Sequence, residues 1–84
     1  MQFAFIYQMR DAGERVRVIA PEHASYWRGL GLARYLGGPF EDRSGGLVTF
    51  DAASLAEAEA LTKNDPFVRE DLLESSAVRP WLTE

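Results

Sequence analysis

The chain has 84 residues, with nine basic and thirteen acidic side chains, one histidine and no cysteine, for a net charge of −4. These numbers exclude a second core, disulfides and thiolate chemistry, and the basic patch that nucleic acid or an anionic membrane surface requires. A domain this short buries only about 60–65% of what its unfolded chain exposes, so a partner subunit is the expected source of further burial.

Residues 2–10, QFAFIYQMR, read as the first strand. Phe3, Phe5, Tyr7 and Met9 alternate onto one face, and Ala4 and Ile6 onto the other. Both faces are mostly apolar, which predicts that both are covered. The run FAFIYQM is too short to cross a membrane and lacks the flanks of a signal peptide. With the absence of cysteine, this suits a cytoplasmic address. DAGER (11–15) reads as a polar turn. Pro21 suits the first position of a helix, where its missing N–H has no partner to lose. His23, Tyr26, Trp27 and Leu30 then share one helical face, at i, i+3, i+4 and i+7. This helix is predicted to end near Arg34.

RYLGGPF (34–40) reads as a short strand running into a turn, and EDRSGG (41–46) as a hairpin loop. GLVTFDA (46–52) is the next strand, with Val48 and Phe50 opposite Leu47 and Thr49. Ser54 followed by Glu57 is a capping box and marks a helix start. Leu55, Ala58, Leu61 and Thr62 form its predicted buried stripe, with Asp65 at the edge of that face. After Pro66 comes a short helical piece, FVRED, and LESSAVRPW (73–81) is the last strand. The order β-α-β-β-α-β predicts one α+β domain over residues 1–84. It is a ferredoxin-like plait, an antiparallel four-stranded sheet with its helices on one face. A second copy of the chain covering the open face makes a homodimer, a dimeric α+β barrel.

Each candidate site residue has a structural reading beside a functional one. His23, about three residues into its predicted helix, sits where the helix N-terminus disfavours imidazolium. A neutral imidazole there suits a general base, and a half-buried histidine bonded to backbone is the plainer account. Asp65 before Pro66 is a good helix cap. It is also the carboxylate available to orient His23 and stabilise its charged form, and two oxygens allow both roles. Gly37-Gly38-Pro39 is a strand-end turn or a backbone edge open to a ligand. Its spacing matches no phosphate loop. Tyr26 is a core residue or a hydroxyl offered to a pocket. Arg15 and Arg17 are solvated surface charges or contacts to an anionic substrate. Ser25 leaves the helix on another side from His23, so no serine triad forms. One histidine without cysteine gives no metal site.

Four segments, PEHASYWRGL (21–30), YLGGPF (35–40), SLAEAEALTKNDPF (54–67) and VRPW (78–81), resemble the YCII-related (YciI-like) domain family. With the opening strand they cover nearly the whole chain in the family's order. The resemblance implies a ferredoxin-like dimeric α+β barrel with an active site built on a His and an Asp. Those fall on His23 in PEHASY and Asp65 in NDPF. Members often carry a basic residue just before the proline of the histidine motif, and here that position is Ala20.

The expectation is a homodimeric enzyme that performs acid–base chemistry without a cofactor. His23 and Asp65 are its catalytic pair, and Gly38, Pro39, Tyr26 and Arg15 contact the substrate. Elimination or isomerisation of a small cyclic or aromatic molecule suits one acid–base residue, and no activated nucleophile for a covalent route is visible. The alternative is a non-catalytic, small-ligand-binding or accessory homodimer.

Overall fold

Alternation along the first strand sets the architecture, seen here in a computed structural model describing residues 1–84. Strand β1 (Gln2–Met9) buries Phe3, Phe5 and Tyr7 on one face, and on the other it leaves Ala4 half-buried and Ile6 45% exposed. Strands β2 (Leu36–Pro39), β3 (Gly45–Asp51) and β4 (Leu73–Pro80) complete an antiparallel sheet of order β2-β3-β1-β4. Helices α1 (Glu14–Gly29), α2 (Leu55–Lys63) and α3 (Pro66–Arg69) account for the remaining regular structure. The plait expected from the element order is therefore present.

Register explains the core. Phe3 pairs with Phe50, Phe5 with Val48 and Tyr7 with Gly46. The same face thus carries aromatic side chains from both central strands. Trp27 of α1 packs into this layer, with ring centroids 5.9 Å from Phe5 and 5.2 Å from Phe50. Ala58, Phe67 and Leu72 close the core from α2, α3 and the loop before β4. Full burial of such side chains stabilises by about 1.5–3 kcal/mol each. On the outer face the chain buries Gln2 and Thr49 but leaves Ile6 and Leu36 exposed, which makes this the open face of the plait.

Gly45 and Gly46 are the residues that let β3 lie against β1. A Cβ on Gly45 would run into the Tyr7 carbonyl oxygen, and one on Gly46 into the Tyr7 hydroxyl. Glycine at both positions brings the tyrosine ring down across the neighbouring strand.

Helix α1 departs from expectation at its start. It begins at Glu14, within the segment read as a turn, and Pro21 lies in its interior. Arg, Ala and Glu favour helix, but Val16, Val18 and Ile19 blur the pattern before Pro21. Pro21 is exposed, and its missing N–H leaves only the Arg17 carbonyl without a helical donor. The helix also ends earlier than predicted: Gly31, at φ 63, takes the left-handed position that closes helices. At α2 the capping box is present, with the Glu57 N–H donating to Ser54 Oγ at 3.1 Å. Leu55 is 41% exposed instead of buried, because it is the first residue of the helix and the stripe reaches the core only at Ala58.

Candidate active site

Asp65 ends the turn after α2 with an extended backbone, and Pro66 follows as the first residue of α3. Its side chain caps that helix: the Phe67 N–H donates to Oδ1 at 2.8 Å. The carboxylate is completely buried. Two further donors reach it from α1, Trp27 Nε1–H to Oδ2 at 2.9 Å and His23 Nδ1, 2.9 Å from both oxygens. The chain thus satisfies the buried carboxylate with three N–H groups from two elements.

That count fixes the histidine tautomer. Asp65 accepts from the Phe67 amide and the Trp27 indole, which are obligatory donors, and so it accepts from Nδ1 as well. In a neutral His23 the lone pair is then on Nε2, which faces the Tyr7 hydroxyl at 3.3 Å. Burial, then the negative charge of Asp65, then Tyr35 push the Tyr7 hydroxyl up to about 12. At neutral pH Tyr7 keeps its proton and is available as a donor to Nε2. The ring of Phe67 stacks on His23 with centroids 4.2 Å apart and planes 16° from parallel. Asp65, Tyr7 and Phe67 therefore hold the imidazole from three sides.

His23 sits in the third turn of α1, not beside its N-terminus, because the helix starts at Glu14. The helix-end electrostatics expected for it are absent, since that field fades within the first turn. The plainer reading, a bond to backbone, is also replaced: both ring nitrogens face side chains.

A cavity of about 560 Å³ opens beside His23, between α1, the sheet and β2. Tyr7 and Val48 form part of its sheet wall, and Ala20, Pro21 and Ala24 its helix wall. Gly38 and Pro39, on the edge strand β2, also line it. Tyr26 and Arg15, the other residues expected to contact a substrate, do not line this cavity. The Tyr26 hydroxyl donates to the Leu61 carbonyl and ties α1 to α2. Arg15 is paired with Glu70 at 2.6 Å on the surface. Arg15 and Arg17 are two helical positions apart and leave α1 on opposite sides, so only Arg17 reaches the cavity. Tyr7 and Trp27 are the polar contacts that sequence reasoning missed. A tyrosine and an indole amid a buried apolar pattern were the signal, since each polar end needs a partner inside.

The fold and this site define a class: small α+β plaits with a buried histidine–carboxylate pair on a cavity wall. The chain matches the profile of the YCII-related domain over residues 1–82 and belongs to that family. Its structure is similar to 5-chloro-2-hydroxyhydroquinone dehydrochlorinase (TftG) from Burkholderia phenoliruptrix AC1100, solved in complex with 2,5-dihydroxybenzoquinone. The TM-score is 0.83 at 25% identity, covering 100% of this chain and 96% of that one. Rv0793 from Mycobacterium tuberculosis shares the fold, with a TM-score of 0.59, 17% identity and coverage of 100% and 98%. No curated protein sequence matches the chain. No helix is long and apolar enough to cross a membrane.

Proposed function

We propose that the cavity is the active site of a cofactor-independent acid–base enzyme acting on a small cyclic or aromatic molecule by elimination or isomerisation. The observation that carries this reading is His23, bound at Nδ1 by the buried Asp65 carboxylate, with Nε2 3.3 Å from the Tyr7 hydroxyl and both residues lining the cavity. The Tyr7 hydroxyl stands at the Nε2 lone pair. The substrate's proton therefore reaches Nε2 through Tyr7, which gives its own proton to Nε2 as it takes one from the substrate, or directly once that hydroxyl turns away. Asp65 stabilises the resulting imidazolium without being protonated itself. In an elimination the electron pair left behind expels an anionic leaving group from the ring. In an isomerisation the same proton returns at another atom. The likeness to TftG, a dehydrochlorinase, favours elimination on a hydroxylated ring.

The test is turnover of a panel of hydroxylated and halogenated rings by wild type and His23→Ala. We expect loss of about 10²–10⁴-fold in kcat, the usual contribution of a positioned acid–base group. Unchanged turnover in a folded variant overturns the assignment.

A second reading has its own observation. Every contact of Asp65 also serves the fold, by capping α3 and satisfying the Trp27 indole. In a non-catalytic ligand-binding dimer the pair would brace the cavity wall only. Ligand binding that survives in His23→Ala and in Asp65→Asn, with no turnover in any variant, selects this reading.

In either case we assign a homodimer. The outer sheet face presents Ile6 at its centre and Leu36 at its edge, both exposed, beside half-buried Ala4 and Leu47. A second copy facing this surface buries it without further contacts from the chain. Light scattering that gives the monomer mass at micromolar concentration rules the homodimer out.

A further inference from the structure

The cavity is charged against the character of the chain. Acidic side chains outnumber basic ones thirteen to nine, yet the lining holds Arg17, Arg28 and Arg43 and no Asp or Glu. The one carboxylate close behind it, Asp65, is fully buried and engaged by three N–H donors.

Placement of the arginines follows from helix geometry. Arg17, Ala20, Pro21, Ala24 and Arg28 stand at i, i+3, i+4, i+7 and i+11, one stripe of α1. The three inner positions are small and leave room, and an arginine stands at each end, about 16 Å apart along the axis. Arg43 comes from the opposite wall, in the turn between β2 and β3. Arg17 shares an exposed, 3.4 Å pair with Glu14, while Arg28 and Arg43 form no ion pair and no side-chain hydrogen bond. Asp42, the neighbour of Arg43, turns to Ser44 instead, at 2.7 Å. Nor does the turn itself account for an arginine at position 43. Its φ of 63 is a left-handed conformation that glycine enters freely and other residues at a cost.

Resting on the ring-binding reading above, we infer that the cavity selects its ligand as an anion: a small ring with an ionised oxygen, phenolate, enolate or carboxylate, held between Arg28 and Arg43. The accessible apolar wall of Ala20, Pro21 and Ala24 receives the ring, and the guanidinium groups at the rim attract the charged oxygen. At a cavity open to water the effect is moderate and weakens with salt.

The test needs no turnover. 4-Nitrophenol ionises near neutral pH with a change in absorbance, so one probe reports both its forms. A tenfold preference for the phenolate lowers the bound probe's apparent pKa by one unit. We expect a fall of about half a unit to one unit with wild type, a smaller fall in Arg28→Gln and in Arg43→Gln, and none in the double variant. Nitrobenzene, the ring without the oxygen, should bind equally to all four proteins. Benzoate displacing the nitrophenolate extends the class to carboxylates, and failure to displace restricts it to phenolate and enolate oxygens. An unshifted probe, equal binding of nitrobenzene and nitrophenolate, or no binding of either to the folded protein overturns the inference. The acid–base reading fails separately, by turnover that His23→Ala leaves intact, and His23→Ala should still shift the probe.

Discussion

Asp65→Ala tests the network that holds the site together. The substitution removes the acceptor of three N–H groups in the interior. His23 can answer by moving its proton to Nε2, which relieves one of them. The Trp27 indole and the Phe67 amide cannot, and each buried donor left without a partner costs about 1–3 kcal/mol. The cap of α3 is the Phe67 term and is not counted again. The expected loss is therefore about 2–6 kcal/mol, against a total stability of about 4–13 kcal/mol for a domain of this length. With an m-value of about 1 kcal/mol/M, the urea midpoint should fall by roughly 2 M or more, followed by tryptophan fluorescence. Asp65→Asn keeps the shape and one acceptor, and should cost about 1–2 kcal/mol. Its amide donor also favours the histidine tautomer with the proton on Nε2, so it should lose activity out of proportion to stability. An Asp65→Ala midpoint within 1 M of wild type would refute the claim that this carboxylate organises the interior.

Other perturbations reach different parts of the molecule. Gly46→Ala places a methyl group against the Tyr7 hydroxyl and the Gly38 carbonyl, and should lower stability by about 1–3 kcal/mol in thermal or urea unfolding. Tyr7 titrates in the folded chain at about 12, above its unfolded value near 10. Between these pH values the unfolded chain binds fewer protons than the folded one. Its contribution to stability is thus complete below about pH 10 and falls away toward pH 12. Urea midpoints across this range should show a shallower decline in Tyr7→Phe than in wild type, and an equal decline would remove Tyr7 as its source. Ile6→Lys puts a charge at the centre of the open sheet face, and should convert the proposed dimer to monomer in light scattering while the far-ultraviolet circular dichroism stays unchanged.

Most of the fold was legible in the sequence because its signals are local. Alternation in β1 and β3, the Ser54–Glu57 box and the Asp65-Pro66 pair each report on a few neighbouring residues. The start of α1 was not legible, because Pro21 looks like an N-terminal residue and the preceding ERVRVIA carries no clear stripe. That one misplacement moved His23 to a helix end where it does not lie, and put Arg15 beside Arg17 instead of across the helix from it. His23 and Asp65 are 42 positions apart. Their pairing was visible as a possibility, since one histidine had one well-placed carboxylate. The Tyr7 contact required the register of β1 on β3, which composition does not specify. The charge of the cavity was hidden in the same way: its three arginines are far apart in the chain and meet only across the fold.

The division of labour between wall and interior constrains how such a protein can change. Asp65 starts α3, satisfies an indole from α1 and aligns the imidazole, so most substitutions there cost folding before they alter chemistry. Arg28 and Arg43, by contrast, are exposed and carry no other bond. On the function proposed above, descendants of this sequence can therefore exchange one ligand for another through single changes at the rim, while the buried pair behind it passes on intact. Divergence in what is bound should outpace divergence in what is done.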